Sequence, residues 1–529
     1  MNAHVLAEEI RSDWSETIRD VRQEADGRIR VDMRTGAPDL CHWLVKDRDC
    51  QFAGLAVREE TDTWVIHYLL YSRTPRGPWV EVTLEVPLAE DTRLPSISAL
   101  VHAADWQERE AEDHFGLQFE GHPRLGDFVL HDEEWGEGTA PMRRRFDWHQ
   151  AVTHRQPNHD WRPRRILHTP GAFAMTIGPV YGGLSEPAHF LLETVGEDVI
   201  RAYPRLFFKY RAVEKMAEGS AVRDALLLAE RFSATQAFAH SFAFCQAIEE
   251  ITGALVPPRA QGLRVALAEL ERLRSHVGAI RGICGSTGLA VAESQAAILE
   301  EDLLRLCGAF SGHRYLFGLN VPGGLSRDFP DEARRELQTG LDRVNAALGL
   351  LNRMLSRSSS FLDRLEEVGI VSFQQAEDHG LVGPVARASG LACDLRVAHP
   401  YSGYERYRLE VPREEDGDGY ARLRVLFAEA EQSAGVIRQV MASLEPGPVR
   451  DQPRPPRGPG SAFGCVEAAV GAAFHWVWLD EQGRVSRYRI VPPSFVNWHG
   501  FHLAAEGFAF QDFPIILATF ALSIAENDR

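Results

Sequence analysis

The stretch EREAEDHFGLQFEGHPRL, residues 108–125, is the most specific pattern in the chain. Its first half is dense in charged side chains and ends at Gly116, which predicts a charged helix stopped by a glycine. Gly121, His122 and Pro123 then predict a turn. Taken alone, a charged run of this kind is typical of a helix face in contact with water. Whether this stretch has a further role depends on the segments on either side of it.

A β-hairpin is predicted before this stretch and a domain linker after it. Residues 63–71 and 79–86 are rich in β-branched and aromatic residues, and a Pro/Gly turn at 74–78 separates them. A helix is predicted over residues 97–113. Residues 149–169 are rich in His, Pro and Arg and show weak periodicity, so we expect a linker there.

The middle of the chain predicts a helical bundle. Apolar residues recur at three- and four-residue spacing in segments 220–252, 260–281, 294–310, 331–368 and 419–444. Gly253 and Gly369 stand where helix C-caps are expected, and Pro330 stands at a helix start. Two later runs, 474–479 and 485–491, flank a turn and predict a short β segment.

Composition and charge limit the classes of function. The 529 residues are 44% hydrophobic and 25% charged, which indicates a globular chain of more than one domain. The net charge of −18 argues against nucleic-acid binding and against direct adhesion to anionic lipid, although 143–145 and 162–165 are local basic patches. No signal peptide is evident, and the longest apolar run, 513–525, is shorter than the roughly 20 residues that span a bilayer. We expect a cytoplasmic protein that contacts a membrane only through partners.

The cysteines indicate no metal centre within the chain. There are seven, they are scattered, and no two form a Cys-x-x-Cys pair. A zinc or iron–sulfur site is therefore not expected. We expect the cysteines to be reduced thiols in a cytosolic compartment. A Gly-rich dinucleotide fingerprint after a strand is also missing from the sequence.

The complete stretch 108–125 closely resembles the signature of the 30-kDa subunit of respiratory complex I, and PMRRRF at 141–146 resembles that subunit's terminal basic segment. From about residue 170 onward the chain resembles the 49-kDa subunit, which is related to the large subunit of nickel–iron hydrogenases. Three stretches carry this second resemblance: 178–199, 312–324 and 493–529. The order is that of a fused 30/49-kDa polypeptide, as in the large subunits of formate-hydrogenlyase-type and hydrogenase-4-type complexes.

This resemblance implies an α+β fold in two parts. A small α/β domain over 1–148 precedes a linker at 149–169 and a hydrogenase-large-subunit-like helical bundle with peripheral β segments over 170–529. In the family the first domain carries no cofactor and docks against the larger subunit, so the charges of 108–114 are interface candidates.

Four positions that the resemblance assigns to metal-binding cysteines hold other residues here. They read Ser233, Gln236, Ser523 and Glu526, and Val470 stands where an arginine is usual. A nickel–iron site needs soft thiolates, which serine, glutamine and glutamate do not supply. We therefore expect no metal site and no classical hydrogenase activity. His240, one turn beyond Gln236, joins the four as a candidate cavity residue. Glu526 is expected either to be proton-active with a raised pKa or to be exposed at a frayed chain end.

Quinone chemistry is the next expectation that the resemblance raises. The histidine and tyrosine with which complex I binds the quinone head group do not match this sequence, and Arg305 aligns with an aspartate that partners the histidine. Tyr181, Ser185 and His189 remain candidates for a quinone-like pocket. Ordinary loop and packing roles are the alternative for all three.

Two functional hypotheses follow. In the first, the chain is the large subunit of a complex I-like or energy-converting-hydrogenase-related oxidoreductase, beside a small iron–sulfur subunit and membrane antiporter-like and anchoring subunits. In the second, it is a non-catalytic scaffold or conformational-coupling subunit that has lost redox chemistry. The first predicts a polar cavity open to solvent, whereas the second predicts a cavity filled by bulky side chains.

Overall fold

The computed structural model describes residues 2–24, 27–89, 91–135, 138–154, 157–180, 186–451 and 458–529. The first part of the chain contains α1 (Ala3–Asp13), β1 (Ile18–Gln23), β2 (Ile29–Met33), α2 (Ala37–Asp47), β3 (Cys50–Glu59), β4 (Thr63–Ser72), β5 (Trp79–Pro87), β6 (Arg93–Pro95), α3 (Asp105–Phe115), β7 (Gln118–Glu120) and α4 (Trp148–His154). The predicted hairpin is confirmed, because β4 and β5 pair antiparallel. The five-stranded sheet has the order β1-β2-β5-β4-β3, with β2 and β5 parallel.

The helix predicted over 97–113 begins later and ends slightly later than predicted, as α3. A single 3-10 turn, His102–Ala104, precedes α3, and Gly116 ends α3 in the left-handed conformation with φ of 71°. The predicted linker overlaps α4, and residues 157–168 form neither helix nor strand.

The second part begins with a small sheet and continues into the bundle. Its elements are β8 (Ala172–Ile177), β9 (His189–Val195), β10 (Asp198–Arg205), α5 (Val213–Ala217), α6 (Val222–Arg231), α7 (Ala237–Thr252), α8 (Pro258–Ser286), α9 (Ala290–Ser311), β11 (Asn320–Val321), β12 (Gly324–Leu325), α10 (Asp331–Leu355), α11 (Ser359–Leu362), α12 (Phe373–Asp378), α13 (Gly383–Ala388), α14 (Leu395–Ala398) and α15 (Gly419–Ser443). The chain then forms β13 (Gly460–Ala468), β14 (Gly471–Leu479), β15 (Val485–Val491), α16 (Pro493–Ala505), β16 (Phe508–Ala509), α17 (Phe513–Phe520) and α18 (Ile524–Asn527).

The long helices α8, α9, α10 and α15 pack on one another around one apolar core, as the spacing of apolar residues predicts. The predicted β segment is present, with a third strand, as the antiparallel sheet β13-β14-β15. The α+β fold class is thus confirmed. Within the described ranges, no helix combines the length and the apolar character needed to cross a bilayer.

Two segments that are predicted as single helices, 220–252 and 331–368, are interrupted. In the second, the helix stops at Leu355, and serines at 356 and 358–360 follow. Serine side chains compete for backbone hydrogen bonds and favour helix ends. Gly253 does end α7, and Pro330 does precede α10. Gly369, however, follows a turn rather than a helix, and its left-handed φ of 65° accompanies close packing against Ile516.

A buried ion cluster joins the two parts of the chain. Glu110 of α3 accepts from Arg529 at 2.7 Å and pairs with Arg489 of β15 at 2.7 Å, and Glu214 of α5 pairs with the same two arginines. All four side chains are buried. Burial alone raises the pKa of Glu214, but Arg489, Arg487 and Arg529 outweigh it and bring the pKa to about 2. Glu110 in the charged stretch 108–125 therefore makes a contact inside the chain and does not lie on a solvated face.

We expect Glu110→Gln to destabilise the protein strongly. The change keeps the shape of the side chain but leaves two buried arginines with less counter-charge, which costs about 3–5 kcal/mol when a buried pair is broken. Chemical denaturation measures the loss. Glu120→Gln is the matched control, because its side chain is 62% exposed. A shift as small as that of the control contradicts the role of the cluster.

His131 forms a separate contact between the two parts of the chain, because its Nε2 lies 2.8 Å from the Leu206 carbonyl oxygen. Burial, with Arg205 nearby, lowers the pKa of His131 from its ordinary 6.5 to about 4. Between these values the unfolded chain binds a proton that the folded chain does not, so this contribution to stability is complete above pH 6.5 and is lost as pH falls toward 4. We expect the difference in thermal midpoint between His131→Gln and wild type to shift in favour of the variant from pH 7 to pH 4.5. A difference independent of pH contradicts this expectation.

Candidate functional site

The break between α6 and α7 positions the first half of the site. The sequence predicts one helix over 220–252, but Ser233 adopts an extended backbone with φ of −133° and ψ of 102°. A 3-10 turn, Ala234–Gln236, follows, and α7 begins at Ala237. Ser233, Gln236 and His240 are all buried, at 1%, 1% and 0% exposure.

The second half of the site comes from the last helical turn of the chain. Ser523 caps α18, since its Oγ accepts from the Glu526 backbone N–H at 3.2 Å. Ser494 at the start of α16 receives the Ser523 N–H at 3.0 Å and donates its own N–H to Glu526 Oε2 at 3.2 Å. Glu526 is fully buried, so the expectation of an exposed, frayed chain end is wrong. The hydrogen bonds from both serines hold this turn against α16.

The residues predicted from sequence meet at one carboxylate oxygen. Glu526 Oε1 accepts from Ser233 Oγ at 3.3 Å and from the Gln236 side-chain amide, and it lies 3.4 Å from His240 Nε2. Ser523 joins them through its cap on the same turn. All five candidate cavity residues therefore belong to one hydrogen-bonded cluster, which we call the Glu526 cluster.

Two further residues extend the Glu526 cluster, and sequence reasoning missed both. His240 Nδ1 lies 2.9 Å from His475 Nε2, and His475 Nδ1 lies 2.6 Å from the Tyr488 hydroxyl. Burial raises the pKa of Tyr488 far above its usual range, so the phenol keeps its proton and can donate a hydrogen bond to His475 Nδ1. With the tautomers that this arrangement selects, His475 donates to His240 and His240 donates to Glu526. The one available signal was a histidine within the apolar strand 474–479.

These hydrogen bonds all direct donors toward Glu526 Oε1. Burial, with His240 and Arg529 nearby, holds the pKa of His475 well below its usual range, so the second ring of the chain stays neutral. Each neutral ring can then donate from one nitrogen and accept at the other. Every neighbour of Glu526 Oε1 is thereby able to donate, and buried carboxylates require such donors.

A cavity of about 690 Å³ lies against the Glu526 cluster. Gln236 and Ser523 form part of its wall, whereas Ser233, His240 and Glu526 lie behind that wall. Other wall residues include the apolar Phe190, Trp498, Phe513 and Leu517, the basic Arg274 and Arg281, and the acidic Glu300, which pairs with Arg281 at 3.2 Å. Gln236 donates to Glu526, while its Oε1 is buried and has no hydrogen-bond partner among the described residues. Gln236 thus separates the carboxylate from the cavity and retains a free acceptor atom.

Of the three residues of the predicted quinone-like pocket, only His189 is among those that the structure describes. Tyr181 and Ser185 lie outside the described residues. His189 lines a separate, smaller cavity, whereas the next residue, Phe190, lines the large one. Successive strand residues point to opposite faces, which explains the separation. Arg305, aligned with a site residue, is instead on the outer face of α9, where its side chain is 73% exposed and pairs with Glu301.

The Glu526 cluster does not fit a thiolate-bound nickel–iron centre. Its donors are two hydroxyls, an amide, an imidazole and a carboxylate, and the carboxylate is already engaged by its neighbours. Such a centre needs soft sulfur ligands. Cys245, on α7, packs in an apolar cluster with Phe232 and Tyr488, and burial raises the pKa of its thiol. Over the described ranges, no group of three His, Cys, Asp or Glu side chains is arranged to hold a metal ion.

Comparison with known families agrees with the fold. Residues 31–152 match the 30-kDa subunit of the respiratory-chain NADH dehydrogenase, and residues 296–459 and 451–529 match its 49-kDa subunit. The carbon monoxide-induced hydrogenase of Rhodospirillum rubrum is 30% identical over 361 residues, which are 68% of this chain and 99% of the relative. The chain belongs to the family of fused 30-kDa and 49-kDa complex I subunits.

The relatives that match this chain carry the names of different enzyme complexes. Formate hydrogenlyase subunit 5 of Escherichia coli K12 is 29% identical over 471 residues, covering 88% of this chain and 82% of the relative. Among solved structures, a chain of the membrane-bound sulfane sulfur reductase, an archaeal respiratory membrane complex, aligns with a TM-score of 0.65 and 26% identity. That alignment covers 69% of this chain and all of the other. Family membership alone therefore does not decide which reaction this chain takes part in, and that question depends on the residues of the site.

We expect Glu526→Ala to destabilise the protein by at least about 1–3 kcal/mol, the cost of leaving a buried donor without its acceptor. The Ser494 N–H and the His240 ring lose their partner in this variant. Denaturant unfolding measures the change. Glu431→Ala is the control, since Glu431 is exposed on α15. Equal stability of the two variants contradicts the hydrogen bonding described for Glu526.

Proposed function

We propose that this chain is the large subunit of a membrane-associated oxidoreductase complex that works without a nickel–iron centre. In this proposal it docks a small iron–sulfur subunit, contacts the membrane through antiporter-like and anchoring subunits, and offers its large cavity to a quinone-like acceptor. The electron-transfer centres belong to the partner. The observation that carries the proposal is the Glu526 cluster behind an open, partly apolar cavity.

The shape of the cavity supports a ligand of this kind. Its volume of about 690 Å³ falls within the range of small-molecule sites, and its wall combines aromatic side chains with a few polar ones. A cavity left without use is expected to fill with bulky side chains, yet Phe190, Trp498 and Phe513 line this one without closing it.

Glu526 and its neighbours supply proton chemistry in this proposal. A two-electron acceptor takes up protons as it is reduced, and Glu526 lies behind the cavity wall with the Gln236 amide between them. A flip of that amide lets Oε1 accept from a protonated Glu526, so both protonation states have a hydrogen-bonded arrangement. The His240–His475–Tyr488 chain holds the imidazole of His240 in the tautomer that donates to the carboxylate.

A scaffold role is the second candidate, and one observation favours it. Ser233, His240 and Glu526 are enclosed, and hydrogen bonds from both halves of the site meet at Glu526. A cluster of this kind also serves simply to tie α7 to α18. In that case the cavity binds no acceptor and the chain only holds the partner and transmits movement.

Turnover in the assembled complex distinguishes the two roles. We expect Glu526→Gln to lower the rate of acceptor reduction by about 10²-fold, the low end of what a positioned acid–base group contributes. Assembly with the iron–sulfur subunit, measured by co-purification, should be unchanged. Gln236→Leu should weaken acceptor binding, seen as a raised KM, because it removes the polar group between the cavity and Glu526.

Glu431→Gln, at an exposed site on α15, is the control and should keep full activity. Wild-type turnover in Glu526→Gln, with the complex intact, contradicts the redox role and leaves the scaffold role standing. Failure of the wild-type chain to co-purify with any iron–sulfur subunit contradicts both.

A further inference from the structure

A second, basic pocket lies where the two parts of the chain and the segment between them meet. Its volume is about 170 Å³. Arg124 comes from the loop after β7, Arg162 and Arg164 from the segment after α4, and His189 and Tyr203 from β9 and β10. This pocket contains none of the Glu526 cluster.

The walls of the pocket are fixed by buried polar contacts. Trp161 donates its indole N–H to Asp127 at 2.9 Å, and Arg205 stacks over the Trp161 ring at 4.1 Å. Glu193 of β9 accepts the backbone N–H groups of Ile166 and Leu167 at 2.7 and 3.0 Å. The segment that carries Arg162 and Arg164 is therefore held beside the sheet.

Arg124 is a half-buried cation that forms no ion pair within the described residues, although Asp127 stands in the same pocket. Its guanidinium makes no hydrogen bond or ion pair with any residue that the structure describes, and it lies over the Tyr203 ring at 4.4 Å. Arg201 approaches the same ring at 5.7 Å. Burial lowers the pKa of Arg124, which expresses the cost of holding this charge away from water. Arginine in such a position is normally paired.

The acidic residues at the pocket are already occupied. Asp127 and Glu133 both pair with Arg205, at 2.7 and 2.5 Å, and Glu193 accepts from two backbone amides. Arg124, Arg162 and Arg164 keep their positive charge toward the pocket. In a chain with a net charge of −18, this local excess of cations differs from the overall balance.

We propose that this pocket binds a phosphate group. Guanidinium groups match the planar spacing of phosphate oxygens, and the Tyr203 hydroxyl and His189 ring, which have no partner among the described residues, add neutral donors. The volume suits a phosphate with part of an attached group. The group is either a soluble phosphate compound or a phospholipid head group; Ile166 and Ile200, about half exposed at 52% and 44%, lie in the same segment and sheet.

The test titrates the full chain with inorganic phosphate and follows thermal stability and calorimetric heat. Wild type should be stabilised in a saturable way. Arg124→Gln should bind at least about tenfold more weakly, the loss of one hydrogen bond to a charged group. Since the Arg124 side chain makes no hydrogen bond in the described structure, this variant should fold normally. Arg164→Gln, at an exposed position, should also weaken binding.

Arg223→Gln is the charge-matched control, on the exposed face of α6, and should bind phosphate like wild type. Sedimentation with phosphatidylglycerol vesicles, against phosphatidylcholine vesicles, identifies the source: vesicle binding that Arg124→Gln abolishes assigns a lipid head group, and phosphate binding alone assigns a soluble compound. Absence of saturable phosphate binding, or equal binding by Arg124→Gln and wild type, overturns the proposal. Neither result bears on the Glu526 cluster.

Discussion

The ion pair between Arg529 and Glu110 is the contact on which both parts of the molecule depend. It joins the end of the second part to α3 of the first, and Arg489 and Glu214 complete it. Arg529 stands three residues after Glu526, so the same contact fixes the short helix that presents the carboxylate. Burying four charges is costly unless each has its partners, and here each charge has them. The small first domain therefore contributes directly to the geometry of a site in the second.

The site itself is built around one carboxylate. Serine and amide groups from the break at Ser233, the backbone N–H of Ser494 and a chain of two histidines and a tyrosine all direct donors toward Glu526. The site therefore offers hard oxygen and imidazole nitrogen rather than the soft sulfur that a nickel–iron centre needs.

Local patterns predicted much of the fold. Alternating β-branched residues at 63–71 and 79–86 gave a hairpin, and apolar spacing gave the long helices, because these signals are read within one element. The interruption at Ser233 was missed, since apolar residues continue through it and only the contact with Glu526 shows why the helix breaks. The family resemblance placed Ser233, Gln236 and Glu526 together, which no spacing in the sequence could do.

Other features depend on contacts that sequence distance conceals. His475 and Tyr488 reach His240 only because β14 and β15 pack against α7. The packing of two strands on a helix far away in the chain leaves no pattern in the local sequence. His189 and Phe190 line different cavities because adjacent residues on a strand face opposite ways, and only Phe190 takes the side of the large cavity. Arg305 was associated with the site only through the family resemblance, and its side chain lies on the outer face of α9.

Metal content of the purified complex tests the central claim most directly. We expect iron in proportion to the clusters of the partner subunit, and no nickel, because the Glu526 cluster offers oxygen and nitrogen ligands rather than soft sulfur. Elemental analysis of the complex, with protein quantified by amino-acid analysis, gives the ratio. Stoichiometric nickel that stays bound through purification and is lost in Glu526→Gln would contradict the account.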